Sequence, residues 1–226
     1  MIMRKLIVII IILVIIFLGM IVYKNMTIKT ENISIQEIEN IENYINQIYM
    51  WKEVTAEALP DFDDINQADE RWIWEVVKKN IEEDEPSYEQ IQEKAKELFG
   101  QAFAKEFPKE GTEYLTYNEQ TNQYLATEPE LDQQGDLFLL NTIKKTKTGY
   151  EVEIVEYLED YSPMLKEEAE DFVIIRNLQE EEIGRISGSA EEEETELVKR
   201  NIDKFSKKKL QLKLENDKLY VEKVYK

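Results

Sequence analysis

The pattern of apolar and polar positions separates one long apolar run from a series of shorter periodic segments. Leu6 to Val22 consists of Leu, Ile, Val and Phe except for Gly19 and Met20. As a helix this run spans about 26 Å, which is close to the hydrocarbon thickness of a bilayer. Its fifteen Leu, Ile, Val and Phe residues favour membrane insertion by about 5 to 9 kcal/mol. The run therefore predicts a transmembrane helix.

The flanks of this run are compatible with an anchor or with a secretory signal peptide, since Arg4 and Lys5 precede the apolar core. The residues after the core lack the paired small side chains of a cleavage site, and the chain has no cysteine for lipid attachment. We therefore expect a permanent single-pass anchor in the cell membrane, with Arg4 and Lys5 in the cytoplasm. This divides the chain into an anchor (1–24), a tether (25–33) and one extracytoplasmic domain (34–226).

Helical periodicity follows the tether. Ser34 with Glu37, and Ser87 with Gln90, have the spacing of capping boxes at two helix starts. Isoleucines at spacings of three and four then predict a buried stripe on the first helix. The three predicted helices run from Ser34 to no further than Leu59, from Asn66 to Glu83, and from Ser87 to Phe107.

After Gly111 the period changes to the alternation that is typical of strands. A further helix start at Ser189 interrupts the strands. The predicted strand pairs cover 114–117 with 123–126, 136–146 with 150–158, 172–178 with 183–186, and 210–214 with 219–224. The predicted fold is therefore α+β, with about three helices packed on a mostly antiparallel, curved sheet that ends in a C-terminal hairpin.

Three helices followed by such a sheet resemble the cystatin-like and nuclear-transport-factor-like group. The closing hairpin that carries the resemblance reads Lys213-Leu214-Glu215-Asn216-Asp217-Lys218-Leu219-Tyr220-Val221. In that group a curved sheet wraps helices, often behind one anchor outside a bacterial membrane. The resemblance brings no active-site residue with it, and the helix at Ser189 departs from the pattern. A small ligand in the hollow of the sheet would contact residues such as Phe138, Tyr150 or Trp74.

Catalytic chemistry is restricted by the absence of histidine and cysteine. Disulfides, Ser-His and Cys-His nucleophiles and the usual zinc ligands are excluded. The segment from Asp61 to Asn66 resembles the start of a calcium loop, but position six is Asn66 rather than Gly and position twelve is Trp72 rather than Glu. We expect these acids to cap the next helix instead. The sequence predicts no catalytic residue, no metal and no cofactor.

Charge is distributed unevenly along the chain. Residues 31–198 contain 44 acidic and 14 basic side chains, whereas residues 199–226 contain 4 acidic and 10 basic ones. The basic C-terminal segment either lies against acidic helices of the same fold or contacts a phosphate-rich partner, such as lipid head groups or an anionic wall polymer, through Lys207, Lys208 and Lys209. The net charge of −30 over residues 31–198 disfavours nucleic acid as a partner.

The second predicted helix has an unusually wide apolar face. Trp72 and Trp74 project about 160° apart at 100° per residue, so both are buried only if the helix is sandwiched. We expect one in the core and the other partly exposed, where it would contact a ligand or partner. The sequence as a whole predicts a non-catalytic module that binds another envelope protein or polymer. The alternatives are a small-ligand binder and a glycan enzyme that uses two carboxylates.

Overall fold

The structure is a computed structural model, and it describes residues 29–30, 33–50, 55–127, 134–165, 171–187 and 191–226. The predicted anchor, Leu6–Val22, and part of the predicted tether lie outside the described residues. Within the described ranges, no helix combines the length and the apolar character that are needed to cross a bilayer.

The described part of the chain contains four α-helices, and two of them start at the predicted capping boxes. At each box the serine hydroxyl accepts from the backbone N–H three residues on, and the Glu37 or Gln90 side chain accepts from the serine N–H. These reciprocal hydrogen bonds satisfy donors that a helix start otherwise leaves exposed. The four helices are α1 (Ile35–Ile48), α2 (Glu70–Asn80), α3 (Tyr88–Phe99) and α4 (Glu191–Arg200).

Two helices are shorter than the sequence predicts. Helix α2 begins only at Glu70, because Asp69 caps it and Asp64 caps a separate 3₁₀ turn at Ile65–Gln67. Helix α3 ends at Gly100 rather than at Phe107, because Gly100 has a φ of 91°. A β-carbon at Gly100 would also lie 3.3 Å from the Tyr220 ring. Glycine adopts a φ in this range without the steric cost that other residues meet.

Nine strands form the rest of the described fold, and all predicted hairpins are confirmed. The strands are β1 (Lys29–Thr30), β2 (Leu115–Asn118), β3 (Gln123–Ala126), β4 (Gln134–Lys145), β5 (Gly149–Asp160), β6 (Phe172–Arg176), β7 (Glu182–Ser187), β8 (Ser206–Glu215) and β9 (Lys218–Tyr225). Strands β2 and β3 pair alone, and the others form one sheet in which only the β1–β4 pairing is parallel.

Strand β5 is the centre of the large sheet. It pairs with β4 along one edge, and its other edge is shared between β8, at residues 149–156, and β6, at residues 158–160. Its even-numbered residues, such as Val152 and Ile154, belong to the main core under α1, α2 and α3. Its odd-numbered residues Val155 and Tyr157 belong to a second, smaller core that includes Val198 of α4. The sheet is therefore covered by three helices on one face and by α4 on part of the other.

Helix α2 is sandwiched, so the expectation of one exposed tryptophan is wrong. Trp72 is 0% and Trp74 is 1% exposed. The ring centroids of Trp72 and Phe99 are 5.7 Å apart. On the other side of α2, Trp74 packs edge-on against Phe107, with ring centroids 5.1 Å apart. The segment that contains Phe103 and Phe107 supplies the second wall, because α3 has already ended at Gly100 and the chain folds back.

The close approach of β5 to β8 at Gly149 yields a test of this packing. A β-carbon at Gly149 would lie 2.0 Å from the Leu212 carbonyl oxygen, whereas one at Gly135 would lie 3.8 Å from its nearest neighbour. We expect Gly149→Ala to lower the free energy of unfolding by about 2 kcal/mol or more. Gly135→Ala should change it by less than about 0.5 kcal/mol. Urea unfolding of the full chain in detergent micelles measures both, and equal effects would contradict this packing.

Candidate interaction surfaces

A groove of about 530 Å³ lies between α1, α3 and the turn that joins β8 to β9. We call it the amide groove, because four carboxamide side chains line it. Carboxylates and lysines of both α3 and the hairpin complete its walls. The polar lining residues are Asn40, Asn43, Gln47, Asn80, Glu37, Glu82, Glu97, Asp217, Lys94 and Lys218.

Helix α1 presents the amide side chains because its two sides differ. Ile41, Ile45 and Ile48 are fully buried in the main core, and Asn43 and Gln47 lie on the exposed side at helical spacing. Neither of these two side chains hydrogen-bonds to another of the described residues. A carboxamide group both donates and accepts hydrogen bonds, so this wall is complementary to groups that do the same.

A tyrosine joins the elements that form the floor of the groove. The Tyr44 hydroxyl donates to the Leu98 carbonyl oxygen at 3.0 Å and accepts from the Val221 N–H at 2.8 Å. Burial raises the pKa of Tyr44 well above its usual value. The hydroxyl thus remains neutral while it connects α1, the end of α3 and β9.

Glu37 forms a hydrogen-bonded network at one end of the groove. One of its oxygens accepts from Lys145 Nζ and from the Tyr150 hydroxyl, each at 2.7 Å. The Lys145 contact, the Ser34 N–H and the Tyr150 hydroxyl hold the pKa of Glu37 well below its usual range. Burial and the contact with Glu37 raise the pKa of Tyr150 to about 12.

The opposite wall carries a second ionised carboxylate. Glu97 lies 2.9 Å from Lys94 Nζ and 3.9 Å from Lys218 Nζ, and the Lys94 hydrogen bond lowers its pKa. A carboxylic acid that donates a proton near neutral pH needs a raised pKa instead. The electrostatics of Glu37 and Glu97 therefore favour binding of donors and cations over proton donation.

A second surface lies on the other side of the sheet, where α4 does not cover it. Strand alternation places Lys209 opposite Glu153 and Tyr225, and Lys213 opposite Tyr220. We call this patch the lysine face. Its residues, all partly or fully exposed, are Lys144, Lys209, Lys213, Lys223, Tyr225, Gln211, Glu151 and Glu153. Acidic side chains also border it, because Lys213 and Lys223 line a groove with Asp63, Asp64, Glu215 and Glu222.

The three consecutive lysines of the sequence prediction are divided between the two sides of the sheet. Lys208 points to the core side, where its side chain is 3% exposed. Its Nζ lies 2.7 Å from Glu57 and 3.1 Å from Asp61, and it donates to the Leu59 carbonyl. Lys207 and Lys209 point to the opposite side because side chains alternate along a strand. No single surface therefore presents all three.

The two tryptophans predicted as partner or ligand contacts, and Phe138 of the predicted hollow in the sheet, pack against other residues of the protein. The Trp72 Nε1 donates to the Ile48 and Ala58 carbonyls at 3.1 and 3.2 Å. Trp74 is fully enclosed, and Phe138 packs against Tyr49 with ring centroids 5.0 Å apart. Of the predicted ligand contacts, Tyr150 borders the amide groove.

Glu37→Gln tests the network at the rim of the amide groove. A carboxyl whose folded pKa is depressed stabilises the fold above its unfolded pKa of about 4.3, and this contribution is lost as the pH falls toward the folded pKa. We expect Glu37→Gln to lower the free energy of unfolding most near pH 7 and progressively less between about pH 5 and pH 2. Unfolding titrations across this range provide the measurement, with the exposed Glu39→Gln on the same helix as control. A Glu37→Gln effect independent of pH, or equal to that of Glu39→Gln, would contradict this network.

The chain matches no protein-family model, no curated protein and no solved structure.

Proposed function

We propose that this protein is a non-catalytic interaction module of the cell envelope, anchored by Leu6–Val22 and holding an extended segment of an envelope protein in the amide groove. The anchor is proposed from the length and composition of the apolar run, and from the absence of a cleavage site after it. A domain on such a tether meets its partners close to the outer membrane surface.

The exposed carboxamides of Asn43 and Gln47 are the observation that carries the proposal. Peptide groups, like carboxamides, combine N–H donors with a carbonyl acceptor. Between Glu37 and Gln47 helix α1 extends about 15 Å, which equals four to five residues of extended peptide at about 3.3 Å each. The lysines and carboxylates of the walls would select charged side chains along that segment.

A protein segment is favoured over a glycan strand as the occupant. Sugar rings commonly stack on exposed aromatic faces, but Tyr44 and Tyr150 in the groove are only 7% and 4% exposed. The exposed apolar side chain at the rim is Leu214, at 43%, and a Leu contacts an aliphatic side chain better than a sugar. The mixed signs of charge also suit a peptide with both acidic and basic residues.

The other function classes have weaker support. A ligand in the hollow of the sheet would need space that the main core occupies, since Trp74 and Ile154 are enclosed by their neighbours. A two-carboxylate glycan enzyme needs one acid with a raised pKa, whereas the pKa values of Glu37 and Glu97 are lowered.

Site-specific photocrosslinking in native membranes tests the proposal. The full chain carries a photoreactive residue at Asn43, which lines the groove, or at Asn46, which is exposed on the same helix but does not line it. We expect a discrete, protease-sensitive adduct at Asn43 and none at Asn46. No adduct at Asn43, or equal adducts at both positions, would contradict a partner in the groove. A protease-resistant adduct at Asn43 would replace the protein partner with an envelope polymer.

A further inference from the structure

We propose that a pocket beside the β2–β3 hairpin binds a quaternary ammonium group, such as the trimethylammonium group of choline. The pocket lies between the hairpin, the start of α3 and the turn before β2, and its volume is about 410 Å³. Ligand sites commonly have volumes of roughly 300 to 1,000 Å³. We call it the tyrosine pocket, and its lining residues are Tyr88, Glu89, Lys109, Tyr117, Asn122 and Tyr124. It is separate from the amide groove, and binding there does not depend on the anchor.

Three tyrosine rings line this pocket. Tyr88 and Tyr117 are partly exposed, whereas Tyr124 is 2% exposed. The ring centroids of Tyr117 and Tyr124 are 5.2 Å apart, with 49° between the ring planes. The face of an aromatic ring is negative and attracts cations, and clusters of such rings bind quaternary ammonium ligands. The ring cluster therefore indicates the chemical class of the ligand.

Hydrogen bonds hold two of the rings in place. The Tyr117 hydroxyl donates to the Asn122 side-chain oxygen at 2.7 Å, and the Tyr124 hydroxyl donates to the Lys109 carbonyl oxygen at 3.0 Å. The Tyr124 N–H donates to the Pro86 carbonyl oxygen at 3.0 Å, which attaches the hairpin to the segment before α3. Side chains that are ordered before binding lose less conformational entropy when a ligand enters.

Carboxylates surround these rings. Glu89 lines the pocket itself. Burial raises the pKa of Tyr88, and the negative charges of Glu106 and Glu89 raise it further. Burial and the neighbouring tyrosines likewise raise the pKa of Tyr124, and Glu110 and Glu89 add to this effect. The rings therefore lie in a negative electrostatic potential.

The positive charge at the pocket is smaller than this negative charge. Lys109 lines the pocket, and the start of α3 carries about half a unit of positive charge. The three carboxylates exceed both together, so charge complementarity selects a cation over a neutral sugar or a phosphate. A primary ammonium group is strongly hydrated, whereas a trimethylammonium group has an apolar surface that aromatic rings can contact. A quaternary ammonium group therefore suits the pocket better than a lysine side chain.

Fluorine NMR on the full chain, with fluorotyrosine in place of tyrosine, tests this assignment in maltoside micelles, which contain no ammonium group. The ligands are choline and dimethylbutanol, its neutral analogue with carbon in place of nitrogen. We expect choline to shift the Tyr88 and Tyr117 resonances saturably, with binding about fivefold tighter than that of the analogue. The Tyr114 resonance should stay unchanged, because this ring lies outside the pocket and Arg71 lies over it at 5.7 Å. No shift with choline, or equal binding of both ligands, would overturn the proposal.

Paired variants separate attraction to the ring from packing, with the Tyr117 resonance as the measurement. Tyr88→Phe keeps the aromatic face and should leave choline binding within about twofold, whereas Tyr88→Leu should weaken it about fivefold. Glu89→Gln should weaken binding about threefold, whereas Glu39→Gln removes the same charge from α1 and should have no effect. Each variant is first checked for an unaltered unfolding midpoint. Equal effects of Glu89→Gln and Glu39→Gln, or of the two Tyr88 variants, would overturn the proposal.

Phosphocholine distinguishes a free ammonium compound from a head group that carries the same group on a phosphate. We expect choline to bind more tightly, because the phosphate would lie near Glu89. Tighter binding of phosphocholine would uphold the site and assign it to a head group, with Lys109 as the phosphate contact. A shift of the Tyr88 resonance with N-acetylglucosamine but not with choline would overturn the proposal in favour of a sugar site.

Discussion

The structure depends on the pairing of β5 along both of its edges. Strand β4 covers one edge for its whole length, and β8 and β6 divide the other edge. The side-chain alternation of β5 continues into its neighbours, with one register shift in β4 between Leu140 and Thr142. Even-numbered residues of β5 face the three helices, and odd-numbered residues face α4 or solvent. Two cores and two solvent-exposed sides follow from this single strand.

The same alternation separates the two candidate surfaces. The amide groove is built on the helix side, where Tyr150 and the end of the C-terminal hairpin meet α1 and α3. The lysine face is built on the opposite side from the intervening residues of the same strands. The lysine face and the amide groove thus point in opposite directions.

The sequence predicts local features of this fold well. Capping boxes at Ser34 and Ser87 depend on residues three apart, and the C-terminal hairpin depends on a two-residue turn at Asn216 and Asp217, both with positive φ. Each of these features depends only on residues that are a few positions apart in the sequence. The end of α3 at Gly100 is different, because the Tyr220 ring that packs there is 120 residues away.

The candidate surfaces depend on similar long-range contacts. Lys208 contacts Glu57, which is 151 residues away in the sequence. The alternation of side chains along a strand by itself predicts only that Lys208 lies on the opposite side of the sheet from Lys207 and Lys209. The amide groove joins segments from five parts of the chain, so its volume could not be predicted. Its one sequence signal was the spacing of Asn40, Asn43 and Gln47 on the polar side of the first helix.

The proposed function requires that the described domain lie outside the membrane on an uncleaved anchor. Single cysteines in the otherwise cysteine-free chain test it through labelling of intact cells with a membrane-impermeant maleimide. We predict that Glu119→Cys, in the loop between β2 and β3, is labelled in intact cells and stays with the membrane fraction. Ile2→Cys should be labelled only after permeabilisation. Labelling of Glu119→Cys only after lysis, or release of the labelled chain into the medium, would contradict the account.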